Sequence, residues 1–99
     1  MKQLSSTLVI KRQGVQIQVV YDIEGHKIRA TVYVDSYDFQ SFAKAERWNG
    51  ERWYEIATIE YGAMHSAKVA NKHKPDAHNE TALNVDVERL IGHVKDVLF

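Results

Sequence analysis

Apolar and polar positions alternate with a period of two through the first third of the chain. Val15, Ile17, Val19, Tyr21 and Ile23 fall on one side and Gln16, Gln18 and Asp22 on the other. After Glu24-Gly25 the alternation resumes, with Ile28, Ala30, Val32 and Val34 inward and Lys27, Arg29, Thr31 and Tyr33 outward. Side chains of a strand point alternately to its two faces, so each segment predicts a strand with one face buried. The short Glu24-Gly25 link makes the two strands antiparallel neighbours. Leu4 to Arg12, built around Leu8, Val9 and Ile10 and closed by the Gln13-Gly14 turn signal, predicts a strand before them.

A second hairpin is predicted over Trp48 to Tyr61, where Asn49-Gly50 divides two segments rich in aromatic and β-branched residues. Both turn residues adopt positive φ at low cost. Phe39 to Trp48 forms the arm before this turn, after a break at Ser36, Tyr37 and Asp38. A two-residue turn pairs Trp48 with Glu51, Lys44 with Glu55 and Ala43 with Ile56. It also sets Arg47 against Arg52, a like-charge pair that a longer turn or a bulge would relieve.

Beyond Tyr61-Gly62 the period changes. Ala63, Met64, Ala67, Val69 and Ala70 predict a short helix ending before Pro75, with a sixth strand as the alternative, and Lys72 to Thr81 reads as a loop. Val87, Leu90, Ile91, Val94 and Leu98 recur at helical spacing and predict a C-terminal helix with Asn84 as its N-cap. Gly92, costly inside a helix, points to a close approach to the sheet. The expected fold is α+β: a five-stranded antiparallel β-meander packed against a C-terminal α-helix, with a short helix before it, in a single domain over residues 1–99.

Composition narrows the function classes. The absence of cysteine excludes disulfides and thiolate metal sites, and points to a reducing, cytoplasmic setting. Leu8, Val9 and Ile10 are too short a run for a signal peptide or a membrane span. Thirteen basic residues balance thirteen acidic ones, which removes the overall attraction that drives non-specific nucleic-acid binding, so nucleic acid is an unlikely partner on this reading. Residues 36–62 hold three basic and five acidic groups, so the aromatic hairpin sits in a mildly acidic stretch.

The chemistry-bearing signals are modest. The five glycines are scattered, giving no phosphate loop, and no nucleophile elbow occurs, so no enzyme, cofactor or metal is expected. His73 and His78 have a zinc-like spacing, with Asp76 between them and His65 nearby, but no cysteine pair or HExxH frame supports them. The stronger feature is aromatic: eight of the ten aromatic residues lie between Tyr33 and Tyr61, more than one buried face takes readily. They predict a non-catalytic module that binds a protein partner, or forms a homodimer, through Tyr33, Tyr37, Trp48, Trp53 and Tyr54. The alternative is weak nucleic-acid binding through the basic segment 65–78, with Lys68, Lys72 and Lys74 as contacts.

Overall fold

A computed structural model describes residues 1–35, 40–70 and 80–98. Its five antiparallel strands stand in chain order, β1 (Lys2–Lys11), β2 (Gly14–Ile23), β3 (His26–Asp35), β4 (Phe42–Trp48) and β5 (Trp53–Ile59). A 3-10 turn at Tyr61–Ala63 leads into α1 (His65–Ala70), and α2 (Glu80–Leu98) closes the fold. This is the expected α+β meander, and the 60s form a helix rather than a sixth strand. The break at Ser36 to Asp38 and residues 72–79 of the expected Lys72 to Thr81 loop lie outside the described residues, and Glu80 and Thr81 belong to α2 rather than to a loop.

The inward residues of β2 and β3 are those the alternation predicts. Val15, Ile17, Val19 and Ile23 join Ile28, Ala30, Val32 and Val34, with Ala43 and Ala45 of β4, in one buried layer. Helix α2 lies on this layer across β2, β3, β4 and β5. It inserts Leu83, Val87, Leu90, Ile91 and Val94, which recur every three or four residues. Small side chains at Ala30, Ala43 and Ala45 let the helix approach closely, and Met64 fills the space beside α1. The Glu24-Gly25 link is tight: both residues have positive φ, 50° and 85°, and Asp22 Oδ1 accepts the Gly25 N–H at 2.8 Å.

Three further sequence expectations need correction. The hairpin register differs from that of a two-residue turn: Trp48 pairs with Trp53, Arg47 with Tyr54, Lys44 with Thr58 and Ala43 with Ile59. Asn49 is the cause of the longer loop, because its Oδ1 accepts the backbone N–H groups of both Glu51 and Arg52 at 2.9 Å. The longer loop takes Arg47 away from Arg52, and a bulge between Ala45 and Glu46 shifts the ladder further, so Ile56 and Ala57 both pack against the core.

The other two corrections fall on α2. It begins at Glu80, so Asn84 is interior rather than an N-cap; buried Ala82 and Leu83 extend the apolar stripe one turn earlier. Gly92 does not touch the sheet, and no atom lies within 4 Å of where its Cβ would stand. It lines a shallow cleft of about 230 Å³ with Met1, Tyr21, Glu88, Ile91 and Lys95.

The two helices are tied together by Asp86, which is fully buried on α2. Its carboxylate accepts the backbone N–H groups of His65 and Ser66 at 3.0 and 2.8 Å and the Ser66 hydroxyl at 2.5 Å. It thereby caps the N-terminus of α1 from another element. Arg89 completes the junction, donating to Asp86 Oδ1 at 3.1 Å and to the Ala63 carbonyl at 2.7 Å. Removing the carboxylate leaves buried donors without acceptors. Asp86→Ala is expected to cost about 2–4 kcal/mol in urea unfolding and Asp86→Asn less, because the amide keeps one acceptor oxygen.

Candidate functional site: the uncovered sheet face

Helix α2 covers one face of the sheet, and the outward residues of all five strands form a second face that no other described element covers. Along β3 these are Lys27, Arg29, Thr31 and Tyr33; Phe42, Lys44, Glu46 and Trp48 stand beside them on β4. The face carries two aromatic clusters separated by a polar strip.

The first cluster is at the hairpin end. Trp48 and Trp53 meet across the strands with ring centroids 5.5 Å apart and tilted at 56°. The Arg29 guanidinium lies 4.3 Å from the Trp53 centroid and the Lys27 ammonium 5.8 Å from it. Glu46 fixes Arg29 in this position, accepting from its Nε at 3.1 Å and its Nη2 at 2.9 Å. Trp48 stays 37% exposed, while Trp53 is half-buried beneath these neighbours.

The second cluster is at the far end of β3. Tyr33 stacks on Phe42 with centroids 5.7 Å apart and planes within 10°. Lys11 caps the Tyr33 ring at 5.1 Å, and Lys44 lies 5.5 Å from the Phe42 centroid. Gly14 makes this packing possible: a Cβ there would stand 2.3 Å from the Val34 carbonyl oxygen and 2.9 Å from the Tyr33 hydroxyl. Tyr33 donates a 2.6 Å hydrogen bond to buried Asp35, whose backbone N–H is held by the Ser41 hydroxyl at 2.9 Å. Between the clusters run Gln18, Thr31 and Thr58; Gln18 Nε2 donates to Thr31 Oγ1 at 3.2 Å, and the Thr58 hydroxyl donates to the Ala43 carbonyl at 3.0 Å.

Of the sequence candidates, Tyr33, Trp48 and Trp53 share this open face. Tyr54 is exposed but alternation puts it on the opposite side of β5 from Trp53. Tyr37, Lys72 and Lys74 lie outside the described residues, as do His73, Asp76 and His78. Lys68 is exposed on α1, which packs on the covered side of β3 with α2, so it is remote from the aromatic face. Among the described residues no group of three His, Asp or Glu side chains is arranged to hold a metal ion.

Lys11, Lys27, Arg29, Phe42 and Lys44 complete the site but were not singled out from sequence. Their signal was the outward set of β3, Lys27, Arg29 and Tyr33, whose period matches that of the aromatics on β4 and β5. Charge counted by segment hid it, because three of the four cations come from β1 and β3 while most of the aromatics come from β4 and β5.

No family model matches the chain, and neither a curated protein nor a solved structure does. The fold and face define the class: an open-faced antiparallel meander backed by one helix, with an aromatic and cationic outer surface. No helix among the described residues is long and apolar enough to cross a membrane.

The Tyr33 hydroxyl is pushed up to about 12, first by its hydrogen bond to Asp35, then by burial and by the Asp35 charge. Folding therefore favours the neutral phenol. Its stabilisation is fully present below the ordinary tyrosine value of 10 and is lost as pH rises from there through about 12. Tyr21 shifts the same way, by burial and then by Glu88. Tyrosinate absorbance should show Tyr33 ionising near 12 in the folded state, and Tyr33→Phe should flatten the alkaline fall in urea midpoint.

Proposed function

We propose that this protein is a non-catalytic binding module whose recognition surface is the open sheet face. One observation carries the reading: four aromatic side chains gather on the face that neither described helix covers, and three of them, Tyr33, Phe42 and Trp53, lie against cations while Trp48 packs on Trp53. Aromatic residues and arginine are the side chains that most often dominate the energetics of binding surfaces. Preorganised rings lose little conformational freedom when a ligand arrives. The hairpin anticipated as the centre of the site supplies one half of it, and β1 and β3 supply much of the rest.

A second reading, self-association, is supported by β1. This ten-residue edge strand is exposed throughout except at half-buried Leu8, and Leu4, Val9 and Ile10 are among its exposed residues. A long unpaired edge is a template for another strand, and two copies related by a two-fold axis would pair their β1 edges. Such a dimer joins two open faces without covering either.

Two measurements test these readings. Material retained on gently purified protein from its native host should be lost from a Trp48→Ala/Lys27→Glu variant and kept by Lys68→Glu; the reverse pattern refutes the open-face site. Mass in solution should be that of a dimer if β1 pairs with itself, falling to a monomer in Ser6→Pro, which removes a backbone donor on the side of β1 away from β2.

A further inference from the structure

We infer that the ligand of the open face is a single-stranded nucleic acid, an inference that rests on the open-face reading above. The sequence balance of thirteen acids and thirteen bases argues against this, but the fold redistributes those charges. Lys11, Lys27, Arg29 and Lys44 converge on the aromatic face. On the far side of the molecule α2 exposes Glu80, Glu88 and Asp96 against Arg89 and Lys95.

Two carboxylates of the open face, Asp35 and Glu46, are buried and held by their neighbours. Asp35 is buried beneath the Tyr33 hydroxyl. Glu46 is engaged by Arg29 at 2.9 Å, with Lys44 at 4.0 Å. Asp22, on β2 opposite Lys27, is exposed and accepts from the Gly25 N–H, and Glu55, opposite Glu46 on the β5 edge, is exposed without an ion pair among the described residues. Lys11 and Lys27 make cation–π contacts and no ion pair among the described residues. They hold a positive charge beside a half-buried ring at each end of the face, next to exposed Phe42 and Trp48.

This combination suits a chain that alternates flat apolar bases with phosphates. Every base has a π-face, so aromatic platforms accept single strands with little sequence preference while flanking cations meet the backbone. Arg29 and Tyr33 are four residues apart on β3, a separation of about 13 Å. That span suits about two or three unstacked bases, the number stacked by aromatics on sheet-face RNA readers. The strip between the clusters offers Gln18 and Thr58, whose amide and hydroxyl groups can meet base edges or sugar oxygens, with buried Thr31 beneath Gln18. A duplex hides the faces of its bases in its own stack and leaves such platforms nothing to take hold of.

The test is fluorescence anisotropy of labelled oligothymidylate and oligouridylate strands of about ten nucleotides, with a duplex of the same length and heparin as comparisons. The wild type should bind the single strands and quench its own tryptophan emission. Binding to the duplex should be at least about tenfold weaker, and affinity should fall with salt at a logarithmic slope of about −2 to −3 for three or four phosphate contacts. Trp48→Ala and Lys11→Glu/Lys27→Glu should each weaken binding about tenfold or more, and Lys68→Glu should leave it unchanged. The variants' circular dichroism and urea midpoints establish that each is folded.

Absence of single-strand binding at low salt overturns the inference. So does equal affinity for duplex or heparin, or a loss caused by Lys68→Glu in place of the face variants. If oligonucleotides fail while the material retained from the host still requires Trp48 and Lys27, the nucleic-acid class falls and the open-face reading stands. If neither depends on those residues, both fall.

Discussion

A single amphipathic helix can cover only one face of a sheet, and the rest of this structure follows from that limit. Helix α2 is 19 residues long, about 28 Å, and its one apolar stripe lies against the inward residues of β2 to β5. The short α1 is drawn to the same side, because buried Asp86 caps it from α2 and Met64 and Ala67 enter the same core. Nothing of either helix is left for the outer face. Side chains there must hold their places in water, and they do so by contacts with one another.

The outer face answers this constraint with charge. Burying an aromatic ring against other hydrophobic groups would need another layer, whereas a cation over the ring is stable with one side wet. Glu46 fixes the guanidinium of Arg29, and Arg29 covers Trp53; Asp35 fixes the phenol of Tyr33, and Tyr33 carries Phe42. Each buried carboxylate on this side thus fixes the position of a ring or its cap. Gly14 shows how tightly that end is fitted, since even a methyl group there would collide with the backbone of β3. Rings held in this way are placed by their neighbours rather than by a covering layer.

The architecture was legible in the residues because two clean alternations and one helical stripe leave few arrangements open. Ile28, Ala30, Val32 and Val34 had to face the stripe of Val87, Leu90, Ile91 and Val94. The misread details were those set by a single side chain acting on the backbone or by tertiary space. Asn49 lengthens the hairpin loop with its own amide oxygen, which a turn-type preference does not reveal. Gly92 borders open space rather than the sheet. The start of α2 was misplaced because Ala82 and Leu83 continue the stripe beyond the polar residue that resembled a cap.

The candidate site was half legible. Trp48 and Trp53 announced themselves by the Asn-Gly hairpin, but their cationic partners come from β3, and Lys11 comes from β1, 22 positions before Tyr33. Only the strand order brings them together. The central claim, that tryptophans and cations share a face open to water, is tested most directly by quenching the tryptophan fluorescence of the free protein. Iodide, drawn to Lys27 and Arg29, should quench more strongly than caesium at equal ionic strength, with the difference reduced by added salt. Blue-shifted emission insensitive to both ions, or equal quenching by the two, would contradict the account.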